Sequence, residues 1–336
     1  MTYDTLRQLI EIDSPTGFTS QACDFVRQQL EGYGLKPTLT NKGAVRCTLG
    51  DSPKVALAAH VDTLGAIVCG IDANGTLKIS RLGGLSLNMA EGEYVRVHTL
   101  EGKQYTGTLL LNNPSAHANK DLSSSKREPE KMHIRLDEHA KTKGHVRELG
   151  IRIGDFVAFD PRYQELPSGY IKSRYLDNKA GCYVLLEVAR RLHEQGIQPA
   201  AEIFFSNYEE VGHGGCAGYS SGVEELLVID MGVLGDACEG EETRCSICAK
   251  DSTGPYDYDM RRRLVELAEA QQIRHSIDVY PFYGSDGSAA LRAGHDFRVA
   301  LIGPGVAASH GVERTHGDGI EATIDLCLAY LKDRSA

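Results

Sequence analysis

The sequence predicts an α/β fold, a mainly parallel sheet with helices on both faces, interrupted by a small β-barrel-like unit. Three observations predict it. Short apolar runs after Tyr170 alternate with helical patterns, which is the signature of strands joined through covering helices. Between about Gly65 and Phe159 the pattern changes to β-prone runs separated by turn signals. Several apolar runs also end directly in histidine or carboxylate residues, as strands do when they deliver side chains to one edge of an open sheet.

The elements follow in order. Leu6, Leu9 and Ile10 form a short helical stripe that Pro15 and Gly17 end. Thr19 to Tyr33 reads as a second helix, with Ala22, Phe25, Val26 and Leu30 on one face and Gly34 as its stop. Val45 to Leu49 and Val55 to Ala59 read as strands, the second running into His60-Val61-Asp62. In the inserted stretch, IDANGTLKIS, GEYVRVHTLEGKQYTGTLL and GIRIGDFVAF carry the β pattern, and Asn112 to Lys131 is a polar loop. Asn178 to Gln195 is a helix closed by Gly196. Strands are expected at Ala201 to Phe205, Leu226 to Ile229 and Val299 to Ile302, and helices at Met260 to Gln272 and Ile320 to Leu331. The stretch from about Gly65 to Phe159 thus reads as a small all-β unit inserted between the parts of an α/β domain whose pattern resumes after Tyr170.

Composition narrows the function. The 336 residues carry a formal net charge of −10, from 46 acidic and 36 basic side chains, which disfavours nucleic acid or an anionic membrane as partner. No basic segment leads into an apolar one at the N-terminus, and the most apolar window, Val55 to Ile71, holds His60 and Asp62. The expectation is a soluble, cytoplasmic protein. Nine scattered cysteines fit reduced thiols, and Cys245 with Cys248 form a CxxC that lacks a second pair to complete a zinc site.

The chemistry collects at strand ends. His60 and Asp62 follow one strand, Glu209 and Glu210 another, and Asp230 a third, while Asp177 precedes a helix and His310 lies before the last one. Two imidazoles with several carboxylates suit zinc, cobalt or manganese, and the acid count suits two ions sharing a carboxylate. Each residue also has an ordinary reading: Asp177 as a helix cap, a lone histidine as a hydrogen-bonded core residue.

AHVDTLGA (59–66), SRYLDNKAG (173–181), NYEEVGHGG (207–215), VIDMG (228–232) and YGSDGSAA (283–290) carry a resemblance nearly end to end, from SPTG (14–17) onward. The sequence resembles the tetrahedral, or TET, aminopeptidases, which include glutamyl and deblocking aminopeptidases and proteins labelled endoglucanases. The resemblance implies a zinc-exopeptidase-like fold, with a catalytic domain at residues 1–64 and 168–336 and the β-rich insertion at 65–167, and a dinuclear metallo-aminopeptidase. His60 and Asp230 would hold one ion, Asp177 would bridge, and Glu210 and His310 would hold the other. Glu209 would be the general base and Asp62 the partner that orients His60. Asp286 is a candidate to receive the substrate amine. The resemblance also implies a homo-oligomer, in many members a dodecamer, assembled through the β-rich insertion.

GVAASHGVERTH departs from the family pattern around the last ligand. His310 aligns best, with Glu313 three residues on, and His316 is the alternative. The altered loop is similar to a branch associated with bacterial genes for an N-acetylated glutamine-dipeptide osmolyte. It motivates an alternative function: an amidohydrolase acting on N-acylated or amidated small molecules or dipeptides with the same metals. A glycosidase using Glu209 and Glu210 would need carboxyls about 5 Å or more apart across a sugar, and the chain has no Trp to stack on one.

Overall fold

A computed structural model describes residues 3–334. They divide into two compact units: one runs to Asp62 and resumes at Arg162, and the other is Thr63–Pro161. The return falls at Arg162, earlier than the sequence pattern suggests, because Gln164–Glu165 already pairs antiparallel with Tyr170–Ser173 of the larger unit.

The larger unit is built on a ten-stranded sheet among the described residues. Val55–His60 lies inside it, parallel to Ala201–Ser206 on one side and to Glu225–Ile229 on the other. Glu225–Ile229 is in turn parallel to Arg298–Val306. Antiparallel strands flank this block, Val45–Thr48 beside Ala201–Ser206 and Cys245–Asp251 beside Arg298–Val306.

Both faces of the block are covered, which is why its strands read as unbroken apolar runs. All six residues of Val55–His60 are buried. Val55, Leu57 and Ala59 belong to the core that also holds Val184 and Val188 of the long helix Leu176–Glu194, and Ile324 and Leu328 of the last helix, Gly317–Asp333. Ala56 and Ala58 face the opposite way, with Phe204, Val228 and Leu301. A side chain such as Leu57, with no exposed surface, contributes roughly 1.5–3 kcal/mol by leaving water.

Cys245–Asp251 is a strand that the sequence pattern did not reveal. Residues three apart on a strand point to opposite faces. Cys245 accordingly joins one core and Cys248 the other, so the CxxC cannot close on a single ion. Arg298–Val306 continues as a strand through Gly303-Pro304-Gly305. A Cβ on Gly303 would lie 1.7 Å from the carbonyl oxygen of Asp230, so only glycine lets the chain after Ile229 pass this close.

The smaller unit is a closed six-stranded barrel in the order Gly65–Ile71, Leu77–Leu82, Met132–Leu136, Gln104–Leu111, Tyr94–His98, Phe156–Phe159. Alternate residues, among them Val68, Ile79, Val95, Val97, Leu109 and Ile134, are buried. Closure leaves no open sheet edge. Residues 112–128 form an irregular, mostly exposed loop, and a short helix, Lys143–Glu148, is capped by the Thr142 hydroxyl accepting the His145 N–H at 3.2 Å.

Candidate metal centre

Three neighbouring parallel strands converge at their carboxyl ends. Val55–His60 ends in His60, opposite Ser206 of its neighbour. The chain leaving Ala201–Ser206 makes a 3-10 turn at Glu209–Val211, and the chain leaving Glu225–Ile229 places Asp230 at once.

The His60 ring is the hub. Its Nε2 lies 3.2 Å from Asp177, 3.7 Å from Glu209 and 4.0 Å from Asp230. Ligand atoms of His60, Asp177 and Glu210 all fall within 4.8 Å of one another. The other oxygen of Asp177 faces His310, whose Nε2 is 3.6 Å away. One carboxylate therefore presents its two oxygens to two imidazoles. The site is closed at one end and open at the other: the His60 side chain is 2% exposed and that of His310 is 39%.

His60 is oriented by its Nδ1–H, which donates to the main-chain carbonyl of Asp62 at 2.9 Å, while the nearest Asp62 carboxylate oxygen is 3.6 Å away. The Asp62 carboxylate has a different task. It accepts the N–H of Glu209 at 3.1 Å, the N–H of Glu210 at 3.2 Å and the Thr16 hydroxyl at 2.7 Å. It thus fixes the turn that carries two acids.

Asp177 is freed from helix capping. Asp177 and Asn178 have non-helical backbone angles at the start of Leu176–Glu194, and the peptide between them is cis. Asn178 does the capping: its Oδ1 accepts the Gly181 N–H at 3.2 Å, and its amide donates to the Ile229 carbonyl at 2.8 Å. Glu313, 2% exposed, accepts the Asp177 N–H through one oxygen and the His310 N–H through the other, both at 3.1 Å.

His316 belongs elsewhere. Its Nδ1 caps the last helix by accepting the Asp318 N–H at 3.0 Å, and its Nε2 donates to the Ser168 carbonyl at 3.1 Å. Asp286 is buried at 1% exposure and accepts the Ser206 hydroxyl. Its other oxygen is buried without a hydrogen-bond partner and sits 2.6 Å from where a Cβ on Gly214 would stand, so it lies close against the loop after Glu210.

The electrostatics express a surplus of acid. Burial, reinforced by Asp230, Asp286 and Asp62, pushes Glu209 well above the usual carboxyl range against the opposing pull of His60. Burial and the Asp177 charge do the same to Glu210. Asp230 is lifted to about 7, again by burial first. Burial alone would lower His60, but Asp177, Glu209, Asp230 and Asp62 outweigh it and raise the ring well above its ordinary range. Glu210 Oε1 is buried without a hydrogen-bond partner. A divalent cation suits this donor set: it would take the place of the protons and give that oxygen a partner.

The sequence pattern gathers His60, Asp62, Asp177, Glu209, Glu210, Asp230 and His310, and in the structure all seven stand together. It missed the supporting set. Thr16 and Asn178 lay within quoted motifs without a role, and Glu313 served only as an alignment mark; Ser206 carried no signal of its own.

Known proteins resemble this chain in sequence and in fold. The family model described as M42 glutamyl aminopeptidase matches residues 43–326. The chain is 42% identical to a Bacillus subtilis protein named Putative aminopeptidase YhfE, across 98% of this chain and 97% of that one. It is 29% identical to lysyl aminopeptidase of Pyrococcus furiosus over 55% of this chain and 52% of the relative. Among solved structures, a TET aminopeptidase from the marine sediment archaeon Thaumarchaeota archaeon SCGC AB-539-E09 superposes with a TM-score of 0.88 at 21% identity, covering 98% of this chain and 95% of that one. The Pyrococcus horikoshii TET1 peptidase, described as assembling into a tetrahedron or a large octahedral shell, gives 0.87 at 22% identity, covering 98% of each chain.

Proposed function

The chain belongs to the M42 glutamyl aminopeptidase family and is a metal-dependent aminopeptidase, and from that premise we propose that it works through two ions held by His60, Asp177, Glu210, Asp230 and His310. The observation that carries the proposal is the Asp177 carboxylate, with one oxygen toward His60 and the other toward His310. His60 and Asp230 would hold one ion and Glu210 and His310 the other, with Asp177 shared between them. Nitrogen and carboxylate donors fit zinc, cobalt or manganese, zinc first.

Bound divalent ions supply Lewis-acid polarisation of the scissile carbonyl and a lowered pKa for water. The chain's own part is to place groups around the reacting atoms. Glu209 stands beside the ligands without being one of them. It accepts a proton from water and returns it to the leaving amine. Its carboxyl, lifted by burial, holds that proton more readily than an exposed glutamate would. Asp62 keeps Glu209 and Glu210 at fixed attitudes through their main-chain N–H groups. The exposed side of His310 gives a peptide N-terminus its way in.

The barrel unit serves assembly into a homo-oligomer, a dodecamer as described for relatives of this fold. A cytoplasmic setting is supported by nine free cysteines. No helix among the described residues is long and apolar enough to cross a membrane. Glu209→Gln tests the central assignment. It should keep its metal and lose about 10²–10⁴-fold in kcat, while near-normal turnover would remove Glu209 as the base.

A further inference from the structure

Both carboxylate oxygens of Glu313 are committed within the site. Oε2 accepts the main-chain N–H of Asp177, and Oε1 accepts that of His310, each at 3.1 Å. These two residues come from elements more than a hundred positions apart, one opening the long central helix and the other in the loop before the last helix.

The His310 loop needs such a restraint. Ala308 and His310 have φ of +58° and +62°, in the left-handed region that side chains with a Cβ avoid. Such a conformation persists where the surroundings overdetermine it. Here the loop is pinned at its base by Ala307 and Arg314, which exchange N–H···O bonds of 2.8 and 3.1 Å, and by Gly311 N–H to the Ala308 carbonyl at 3.0 Å. Those bonds fix the loop against itself. Glu313 links it to Asp177.

We propose that Glu313 is a positioning residue that sets the spacing between the Asp177 carboxylate and the His310 imidazole, and so controls the second of the two ion sites. This rests on the ligand assignment above. The His60 and Asp230 side is anchored independently, His60 by the Asp62 carbonyl and Asp230 by its own strand end and the Met231 N–H at 2.7 Å. A carboxylate is required because both targets are N–H donors. Gln offers one acceptor and sets an amide N–H against the other donor.

The test is calorimetric titration of the metal-depleted full chain with zinc, for wild type, Glu313→Gln, Glu313→Asp and His310→Ala, with thermal melting of each. Wild type should bind in two steps, and His310→Ala should lose one. Glu313→Gln and the shorter Glu313→Asp should weaken that same step by about 10–100-fold and leave the other within about threefold. Two unchanged steps in both Glu313 variants, or equal weakening of both steps, would overturn the positioning role. If His310→Ala itself binds like wild type, the ligand assignment fails, a different result from failure of Glu313 alone.

Discussion

The carboxylate of Asp62 accepts the main-chain N–H of Glu209 at 3.1 Å, so a residue at the end of one strand sets the attitude of the acid after the next. Asp62→Asn keeps the shape but turns an N–H toward a group that can only donate. We expect kcat to fall about 10–100-fold with zinc largely retained. Thr16→Val removes only the third hydrogen bond and should cost less than Asp62→Asn. Steady-state kinetics with metal analysis of both variants checks the order; Thr16→Val as the more damaging change would contradict it.

His310 and His316, six positions apart, should separate cleanly. His310→Ala should lose metal and activity. His316→Ala should keep both and lose about 1 kcal/mol of stability, because its ring caps the last helix. Metal content and thermal melts of the two variants decide the matter.

The acid surplus predicts a pH dependence with a definite sign. In the metal-free protein Asp230 titrates near 7 rather than at its ordinary 3.8, and Glu209 and Glu210 stand well above 4.5. The folded chain then holds protons that the unfolded chain has released, so stability from these groups is full below about pH 4 and declines as pH rises through 7. His60, raised above 6.5, adds the same sign, its contribution lost as pH climbs through its elevated value. Asp177 is lowered and acts oppositely, only below its ordinary 3.8. Chelated protein should melt higher at pH 5 than at pH 8 by differential scanning calorimetry. Zinc should bind more tightly at pH 8 and release protons on binding, which calorimetry in buffers of different ionisation enthalpy reads directly.

What the sequence made legible follows from where burial is complete. VALAAH and ELLVI are buried throughout, so their apolar runs announced strands, and His60 at the end of one with Asp230 just after the other announced the site. His275–Val279 stayed hidden because its pattern is inverted: Ser276 and Asp278 face inward while Ile277 and Val279 are exposed. Cys245–Asp251 mixes serine, lysine and cysteine, and its two cysteines drew attention to metal chemistry instead of to a strand. The supporting residues were beyond reach for a different reason. Thr16 and Asp62 are 46 positions apart, and Asp177 and Glu313 are 136 apart; only the folded sheet makes them partners.

The opposed cysteines give their own prediction. Cys245→Ala and Cys248→Ala each remove a small buried group, at a cost of about 1 kcal/mol, and should leave metal content unchanged. A fall in metal content by elemental analysis in either variant would show that a thiolate serves as a ligand after all.

The central claim is most directly tested by elemental metal analysis of the purified full chain, with hydrolysis of a free-amine peptide followed before chelation, after it, and after zinc is restored. The account predicts about two ions per chain, activity lost on chelation and regained with zinc, and about one ion with little activity in Asp177→Asn. Undiminished peptide hydrolysis by protein stripped of metal, or Asp177→Asn holding two ions at full activity, would contradict it.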